Sequence, residues 1–129
     1  MKVELVMQTN GKICNVSKSY PGSEHDMRVR RKSDSLPQEH IKRVDLGYQG
    51  LDKEMSNVII PHKKDRGGTL SESQRWYNSV QSSVRILIEH KFAQLKKFRI
   101  LGEVYRNFMK KHNLRWSIIA GIINLQCGF

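Results

Sequence analysis

The chain has 129 residues, enough for one domain with a modest core and too few for two domains of ordinary size. Hydrophobic residues make up 38% and charged residues 27% of it, values typical of a globular protein, so wholesale disorder is excluded. The net charge is +11, and it is uneven: residues 1–60 contain 10 Lys and Arg against 8 Asp and Glu, whereas residues 61–129 contain 13 against 4. This pattern favours a polyanion partner such as nucleic acid, although a merely lysine-rich protein has the same composition.

The two cysteines and the short apolar segments indicate the cellular compartment in which the protein is expected. Cys14 and Cys127 are far apart and have no metal-ligand spacing, so they favour a reducing compartment and argue against a zinc site. The start of the chain, MKVELVMQTNGK, lacks the apolar centre of a secretory signal, and no apolar run approaches ~20 residues. We therefore expect a cytoplasmic protein without a membrane span.

The first third of the sequence predicts a β-hairpin followed by a short helix. Residues 3–20 contain two candidate strands around Asn10-Gly11, a pair typical of a tight hairpin turn. Pro21-Gly22 ends this segment. A helix through about Lys32 follows, with Ser23 or Asp26 as its predicted N-cap.

Two short strands and a basic loop are predicted next. Residues 41–45 form the first strand, which is broken by the glycines that follow. Residues 58–60 form the second, which is stopped by Pro61. The sequence HKKDRGG at residues 62–68, called the basic loop below, predicts an irregular segment.

The remaining residues predict helices. Two overlapping capping boxes, Thr69 with Glu72 and Ser71 with Gln74, compete for the start of a long helix that we expect Gly102 to end. A last helix at about residues 114–125 is apolar almost all round, which predicts that it is buried. Strands near the start and helices towards the end indicate an α/β domain.

Two carboxylates are candidates for chemistry. Asp45 follows a short strand, where the crevice of an α/β sheet binds ligands, but an Asp ahead of glycine also commonly forms turns. Glu89 lies among cations of the long helix, where it fits a surface ion pair as well as a metal ligand. If both act together, their oxygens suit Mg²⁺ or Mn²⁺, ions that support phosphoryl transfer.

Other side chains have a functional and a structural interpretation. His25 and Asp26 fit a proton shuttle or a DNA contact, although an Asp at a helix start is first of all a cap. Trp76, Tyr77 and Phe92 are able to stack on bases, but at this spacing aromatics more often belong to the core. The cluster at the end of the long helix is the best candidate for phosphate contacts, with a solvated basic face as the alternative; it comprises Lys96, Lys97 and Arg99.

Five motifs in order resemble one family over about residues 11–125. They are SYPGSEHDMRV, VDLGYQG, IIPHKK, SSVRILIEHKFAQLKKFRILGEVYRN and IIAGIINLQ. In this order they are similar to the DDE transposases of bacterial insertion sequences, in the branch that includes the Harbinger-type endonucleases. Each motif alone is weak, whereas the ordered set is specific.

The resemblance implies a fold, a metal site and a partner. It implies a ribonuclease H-like mixed sheet with flanking helices, and two Mg²⁺ or Mn²⁺ ions for DNA cleavage and joining. It matches Asp45 to the second catalytic Asp and Glu89 to the catalytic Glu, and it includes a pair like His25-Asp26 of uncertain role. The expected partner is transposon-end DNA in a bacterial, nucleoid-associated setting, and the family pattern also has a Lys at the position of Lys96. The candidate DNA contacts from the charges of the sequence are Lys63, Lys64, Arg66, Arg85, Lys96, Lys97 and Arg99.

The family places its first catalytic Asp on a strand before the hairpin, and this chain starts at Met1 inside the hairpin. We therefore expect residues 1–129 to be an N-terminally truncated catalytic domain, without the DNA-recognition region and inactive alone. The open edge of the hairpin predicts self-association, and a full-length transposase is a further expected partner. The alternative function is a non-catalytic remnant that binds DNA or a transposase.

Overall fold

The computed structural model describes residues 1–102 and 109–129. It divides into two compact units, one of Met1–Asp34 with Leu87–Phe129 and the other of Ser35–Ile86. The strands are β1 Leu5–Met7, β2 Ile13–Val16, β3 Lys42–Arg43 and β4 Val58–Ile59. The helices are α1 Asp26–Lys32, α2 Leu51–Glu54, α3 Glu72–Lys96, α4 Arg99–Gly102 and α5 Met109–Gln126.

In the described residues the strands form two separate two-stranded sheets. The α/β prediction is therefore confirmed, while the ribonuclease H-like arrangement stays a prediction. No helix in residues 1–102 and 109–129 is both long and apolar enough to cross a membrane.

The first unit begins with the predicted hairpin. β1 pairs antiparallel with β2, and a bridge between Lys2 and Tyr20 extends the pairing outwards. Gly11 has φ +93°, a left-handed conformation that favours glycine and explains the Asn-Gly turn. The prediction of a hairpin over residues 3–20 is confirmed.

Helix α1 is held against the hairpin by a buried ion pair. Arg30 Nη1 donates to Glu4 Oε1 at 2.6 Å, and both side chains are more than nine-tenths buried. The backbone N–H of Glu4 donates to the Ser17 hydroxyl at 2.7 Å. Removing either partner would leave a buried charge without compensation, so loss of one of the two side chains should be strongly destabilising.

The core of the first unit lies between the hairpin and the C-terminal helices. Its buried members come from β1, β2, the end of α3, α4 and α5; they are Leu5, Ile13, Leu95, Leu101, Trp116, Ile119, Ala120 and Ile123. The N–H of Ile13 donates to Asn124 Oδ1 and its carbonyl accepts from Asn124 Nδ2, both at 2.9 Å, so α5 closes the outer edge of β2 at this residue.

The prediction that the last helix is buried is wrong for one of its faces. Leu114, Ile118 and Leu125 are exposed, the last by 75%, while the face that carries Ile123 is buried. Apolar residues all round a helix therefore do not bury it, because only the face that contacts the hairpin and α3 meets the core.

The second unit contains the predicted short strands. β3 pairs with β4 in parallel, with Lys42 opposite Val58 and Arg43 opposite Ile59. The ammonium of Lys42 is buried and donates to the carbonyls of Gln38, His40 and Ser56 at 3.1–3.4 Å. These bonds satisfy the buried cation and join the segments that lead into β3 and β4, which lie at the same end of the parallel pair.

Helix α3 begins at the second of the two competing capping boxes. The N–H of Gln74 donates to the Ser71 hydroxyl at 3.2 Å, and the N–H of Ser71 donates to Gln74 Oε1 at 3.0 Å. Both bonds satisfy backbone donors that the first turn leaves open. The helix ends at Lys96, before the expected stop, and Gly102 is instead the last residue of α4.

Candidate metal site and nucleic-acid interface

Asp45 lies directly beyond the parallel strands of the second unit. The N–H of Val44 still donates to the Ile59 carbonyl at 3.1 Å, so the pairing ends one residue before Asp45. Asp45 Oδ1 then accepts the N–H of Leu46 at 2.8 Å and caps a single 3-10 turn, Leu46–Tyr48. The position at a strand end is confirmed, and the turn-forming role is present as well.

An arginine of α3 contacts the same carboxylate. Arg85 Nη1 donates to Asp45 Oδ1 at 2.9 Å, and the two side chains are 43% and 51% exposed. Both contacts of Asp45 use Oδ1, so within the described part of the chain Oδ2 has no hydrogen-bond donor. Sequence reasoning placed Arg85 among the DNA contacts and missed its partner, which is 40 positions away.

A second bond joins β3 to α3 in this unit. Arg43 Nη1 donates to Gln81 Oε1 at 2.7 Å. Gln81 and Arg85 are four positions apart on α3, so their side chains lie on one face of the helix. The two bonds together hold the strand that precedes Asp45 against this part of α3.

Glu89 is an exposed residue of α3. It belongs to the first unit, whereas Asp45 belongs to the second, so the pairing of these two carboxylates stays a prediction. Their oxygens are the ligand type that Mg²⁺ and Mn²⁺ prefer, and the exposed position of both allows access to an ion. Among residues 1–102 and 109–129, no three His, Cys, Asp or Glu side chains form a group able to hold a metal.

His25 and Asp26 both stabilise the start of α1. His25 Nδ1 accepts the N–H of Met27 at 3.3 Å, which makes His25 the N-cap; the prediction of Ser23 or Asp26 is wrong. Asp26 is the first helical residue, where a carboxylate interacts favourably with the helix dipole, and it accepts from Lys2 Nζ at 2.9 Å. An imidazole nitrogen acts here as the cap acceptor that Ser or Asp usually supplies.

The predicted DNA-contacting lysines and arginines are all on the surface. In the second unit, Lys63, Lys64 and Arg66 are exposed in the basic loop. In the first unit, Lys96 and Lys97 at the end of α3 and Arg99 at the start of α4 are exposed. Surface cations of this kind contact phosphates independently of base sequence.

The three aromatic candidates behave differently. Trp76 is 70% exposed, so the core interpretation is wrong for this residue. Tyr77 is half-buried, with its ring centroid 4.9 Å from that of His62. Phe92 packs against the core of the first unit and meets Trp116 edge to face at 6.1 Å, as the core interpretation predicted.

A buried histidine and a serine also form a pair in the first unit. Ser19 Oγ lies 2.7 Å from His112 Nδ1, and Trp116 Nε1 donates to His112 Nε2 at 3.4 Å. Because Nε2 accepts, neutral His112 carries its proton on Nδ1 and donates it to Ser19. Burial lowers the pKa of His112 and favours this neutral form, so the pair stabilises the fold and does not activate the serine.

Comparisons with known proteins place these residues in a family. The chain is 38% identical over 106 residues to the probable transposase for insertion sequence element IS702 of Microchaete diplosiphon, an overlap of 81% of this chain and 38% of that protein. The chain thus spans well under half the length of that relative. No solved structure gives a significant match. A family model described as DDE superfamily endonuclease matches residues 1–124, and the chain therefore belongs to the DDE superfamily endonucleases of the transposase type.

Proposed function

We propose that residues 1–129 are part of a ribonuclease H-like transposase catalytic domain in which Asp45 and Glu89 bind divalent metal ions. The observation that supports this most is the exposed carboxylate of Asp45 at the end of parallel strands, in a chain of the DDE endonuclease family. Ligands of α/β sheets bind at this end of the strands. The motif match supports Glu89 as the second ligand.

The side chains of this proposed site have separate roles. Bound Mg²⁺ or Mn²⁺ supplies activation of water and stabilisation of the leaving oxygen in phosphodiester cleavage and joining. The N–H of Leu46 donates to Oδ1 of Asp45 and so orients the carboxylate, while Oδ2 takes no part in that bond. Arg85 balances the charge of Asp45, and its partly exposed guanidinium is of the kind that binds phosphate oxygens.

The remaining cations provide affinity for DNA. The proposed contacts come from the basic loop and from the junction of α3 and α4, where the residues are exposed. Each neutralised phosphate releases counterions, so the logarithm of the binding constant falls by about 0.9 per phosphate for each unit of log salt. Binding to transposon ends should therefore weaken steeply as salt increases.

Metal binding tests the assignment without depending on activity. Mn²⁺ binding is measured for the whole chain and for Asp45→Asn and Glu89→Gln. The matched controls are Asp52→Asn, an exposed acid of α2 in the unit of Asp45, and Glu72→Gln, an exposed acid of α3. We expect the first two variants to lose affinity and the controls to retain it. Mn²⁺ binding that survives both site substitutions would sink the metal assignment.

Nicking of DNA with Mg²⁺ or Mn²⁺ tests the activity of the chain by itself. We propose that residues 1–129 alone are inactive, because the motif match assigns only Asp45 and Glu89, two of the three catalytic carboxylates that the family uses. Nicking that is abolished by Asp45→Asn would contradict that inactivity and support the site. Salt-dependent DNA binding combined with Mn²⁺ binding that is indifferent to Asp45 and Glu89 would favour the non-catalytic alternative.

A further inference from the structure

Asn78 holds the first residue of the basic loop through its backbone. Asn78 Oδ1 accepts the N–H of His62 at 2.7 Å, and Asn78 Nδ2 donates to the His62 carbonyl at 2.9 Å. One side-chain amide thereby satisfies both polar backbone groups of one residue, as a neighbouring strand does in a sheet. β4 ends at Ile59 and Pro61 lacks the N–H that a strand needs, so a side chain binds the backbone just beyond the strand pairing.

Further contacts fix the loop on both sides of its lysines. The ring of His62 lies against Tyr77, the residue before Asn78, with the centroids 4.9 Å apart. At the other end, the N–H of Gly68 donates to the Asp65 carbonyl at 3.0 Å, and Gly67 has φ +78°. The exposed side chains of Lys63, Lys64 and Arg66 therefore extend from a backbone that is held at its entry and turns sharply at its exit.

The solvent exposure of the Asn78–His62 hydrogen bonds indicates that they order the loop rather than stabilise the fold. The same bidentate geometry joins Asn124 to Ile13 in the first unit, but there it anchors a helix to a buried residue of a strand. The bonds of Asn78 to His62 are exposed. Exposed hydrogen bonds exchange easily with water and add little to stability, so the benefit of this pair lies in the conformation of the loop.

We infer that Asn78 is a positioning residue that holds the basic loop in place for contact with DNA phosphates. The inference rests on the proposed function and extends it to a residue outside the cations themselves. A loop that is already ordered loses less conformational freedom when its lysines bind, which increases affinity without a new contact. The expected gain is about five-fold in affinity, the equivalent of ~1 kcal/mol.

The test compares Asn78→Ala with Ser79→Ala, the adjacent exposed position of α3, in the full chain. Alanine is the best helix former, so both variants keep the helix. Limited trypsin digestion mapped by mass spectrometry measures cleavage within the basic loop. Fluorescence anisotropy with a short DNA duplex at several salt concentrations measures affinity, both in the native background and with Lys63, Lys64 and Arg66 all replaced by Ala.

The expected result has three parts. Asn78→Ala speeds cleavage within the basic loop, weakens DNA binding about five-fold, and has no effect on affinity once the three cations are gone. Ser79→Ala changes none of these. Equal losses of affinity in both backgrounds, or cleavage and affinity unchanged by Asn78→Ala, would overturn the inference. If the native chain shows no salt-dependent DNA binding, the proposed function fails, and the role of Asn78 in DNA binding fails with it. Faster cleavage of Asn78→Ala in that case would still show that Asn78 fixes the conformation of the loop.

Discussion

Replacing Arg85 with methionine should raise the affinity of the protein for Mn²⁺. The guanidinium lies 2.9 Å from Asp45 Oδ1, so its positive charge opposes a cation that binds either oxygen of this carboxylate. Two unit charges at that distance attract each other by roughly 1.4 kcal/mol in water. Both side chains are about half exposed, and screening and lost side-chain entropy reduce the net value to about 0.2–1 kcal/mol. We therefore expect Mn²⁺ to bind up to about five-fold more tightly.

The matched control is Arg75→Met, which removes the same charge from another exposed position of α3. Free Mn²⁺ is followed by its electron paramagnetic resonance signal during titration, and urea unfolding is measured in parallel. Arg75→Met should leave Mn²⁺ affinity nearly unchanged, and neither variant should lose more than ~1 kcal/mol of unfolding free energy. Weaker Mn²⁺ binding by Arg85→Met would refute this opposition of charges, because it would make the arginine a support for the ion.

Further predictions concern stability and assembly. Burial lowers the pKa of His112 below its ordinary 6.5, so the folded state binds fewer protons than the unfolded state. The stability that neutral His112 contributes is fully present above pH 6.5 and is lost as pH falls through the lowered pKa. Urea unfolding midpoints measured between pH 8 and 5 should therefore fall towards acid in the native chain, and fall less in His112→Gln. Asn124→Ala leaves both polar groups of a strand residue unpaired and should cost about 1–3 kcal/mol of unfolding free energy, while Gln126→Ala should change little. Gly102→Ala places a Cβ 2.7 Å from the carbonyl oxygen of the last residue of α3 and should destabilise by about 1–3 kcal/mol, whereas Gly121→Ala meets no atom within 4 Å and should stabilise α5 by about 1 kcal/mol in thermal unfolding. In the described residues β1 pairs with β2 alone, so light scattering should detect self-association, and a monodisperse monomer would contradict it.

Local sequence signals predicted much of the fold. The Asn-Gly turn fixed the hairpin because glycine tolerates the left-handed conformation found at Gly11. Two overlapping capping boxes placed the start of α3 to within a turn, and the structure selects the box in which Ser71 and Gln74 satisfy each other's backbone N–H groups. Both signals act over three or four residues, where the chemistry of the side chains determines the geometry directly. The helix start at His25 was assigned to the wrong residue, because an imidazole acceptor is an uncommon cap.

Contacts between distant residues were beyond these signals. Composition predicted a buried last helix, but burial depends on which face meets the hairpin, and Leu114 and Ile118 remain exposed. For Trp76, helical spacing favoured the core over base stacking, yet the side chain is 70% exposed. The bonds of Asn78 to His62 span 16 positions, and nothing in either sequence neighbourhood marks them. The amide of an asparagine can donate and accept hydrogen bonds in many surroundings. Only the folded structure, which places the His62 backbone next to Asn78, determines which bonds it makes.

The two interpretations of Asp45 are compatible, and the structure explains why. The cap on Leu46 and the pair with Arg85 both engage Oδ1, and both hold the carboxylate at the end of the parallel strands. A ligand for a divalent ion has to be kept oriented and charge-balanced when the ion is absent, and a backbone N–H with an exposed guanidinium does both at little energetic cost. The turn-forming role of Asp45 is thus compatible with the metal-ligand role that we propose for it. The ion pair of Asp45 with Arg85 is therefore compatible with metal binding. Tighter Mn²⁺ binding by Arg85→Met would show that the arginine only balances the carboxylate while the ion is absent, and weaker binding would show that it supports the bound ion.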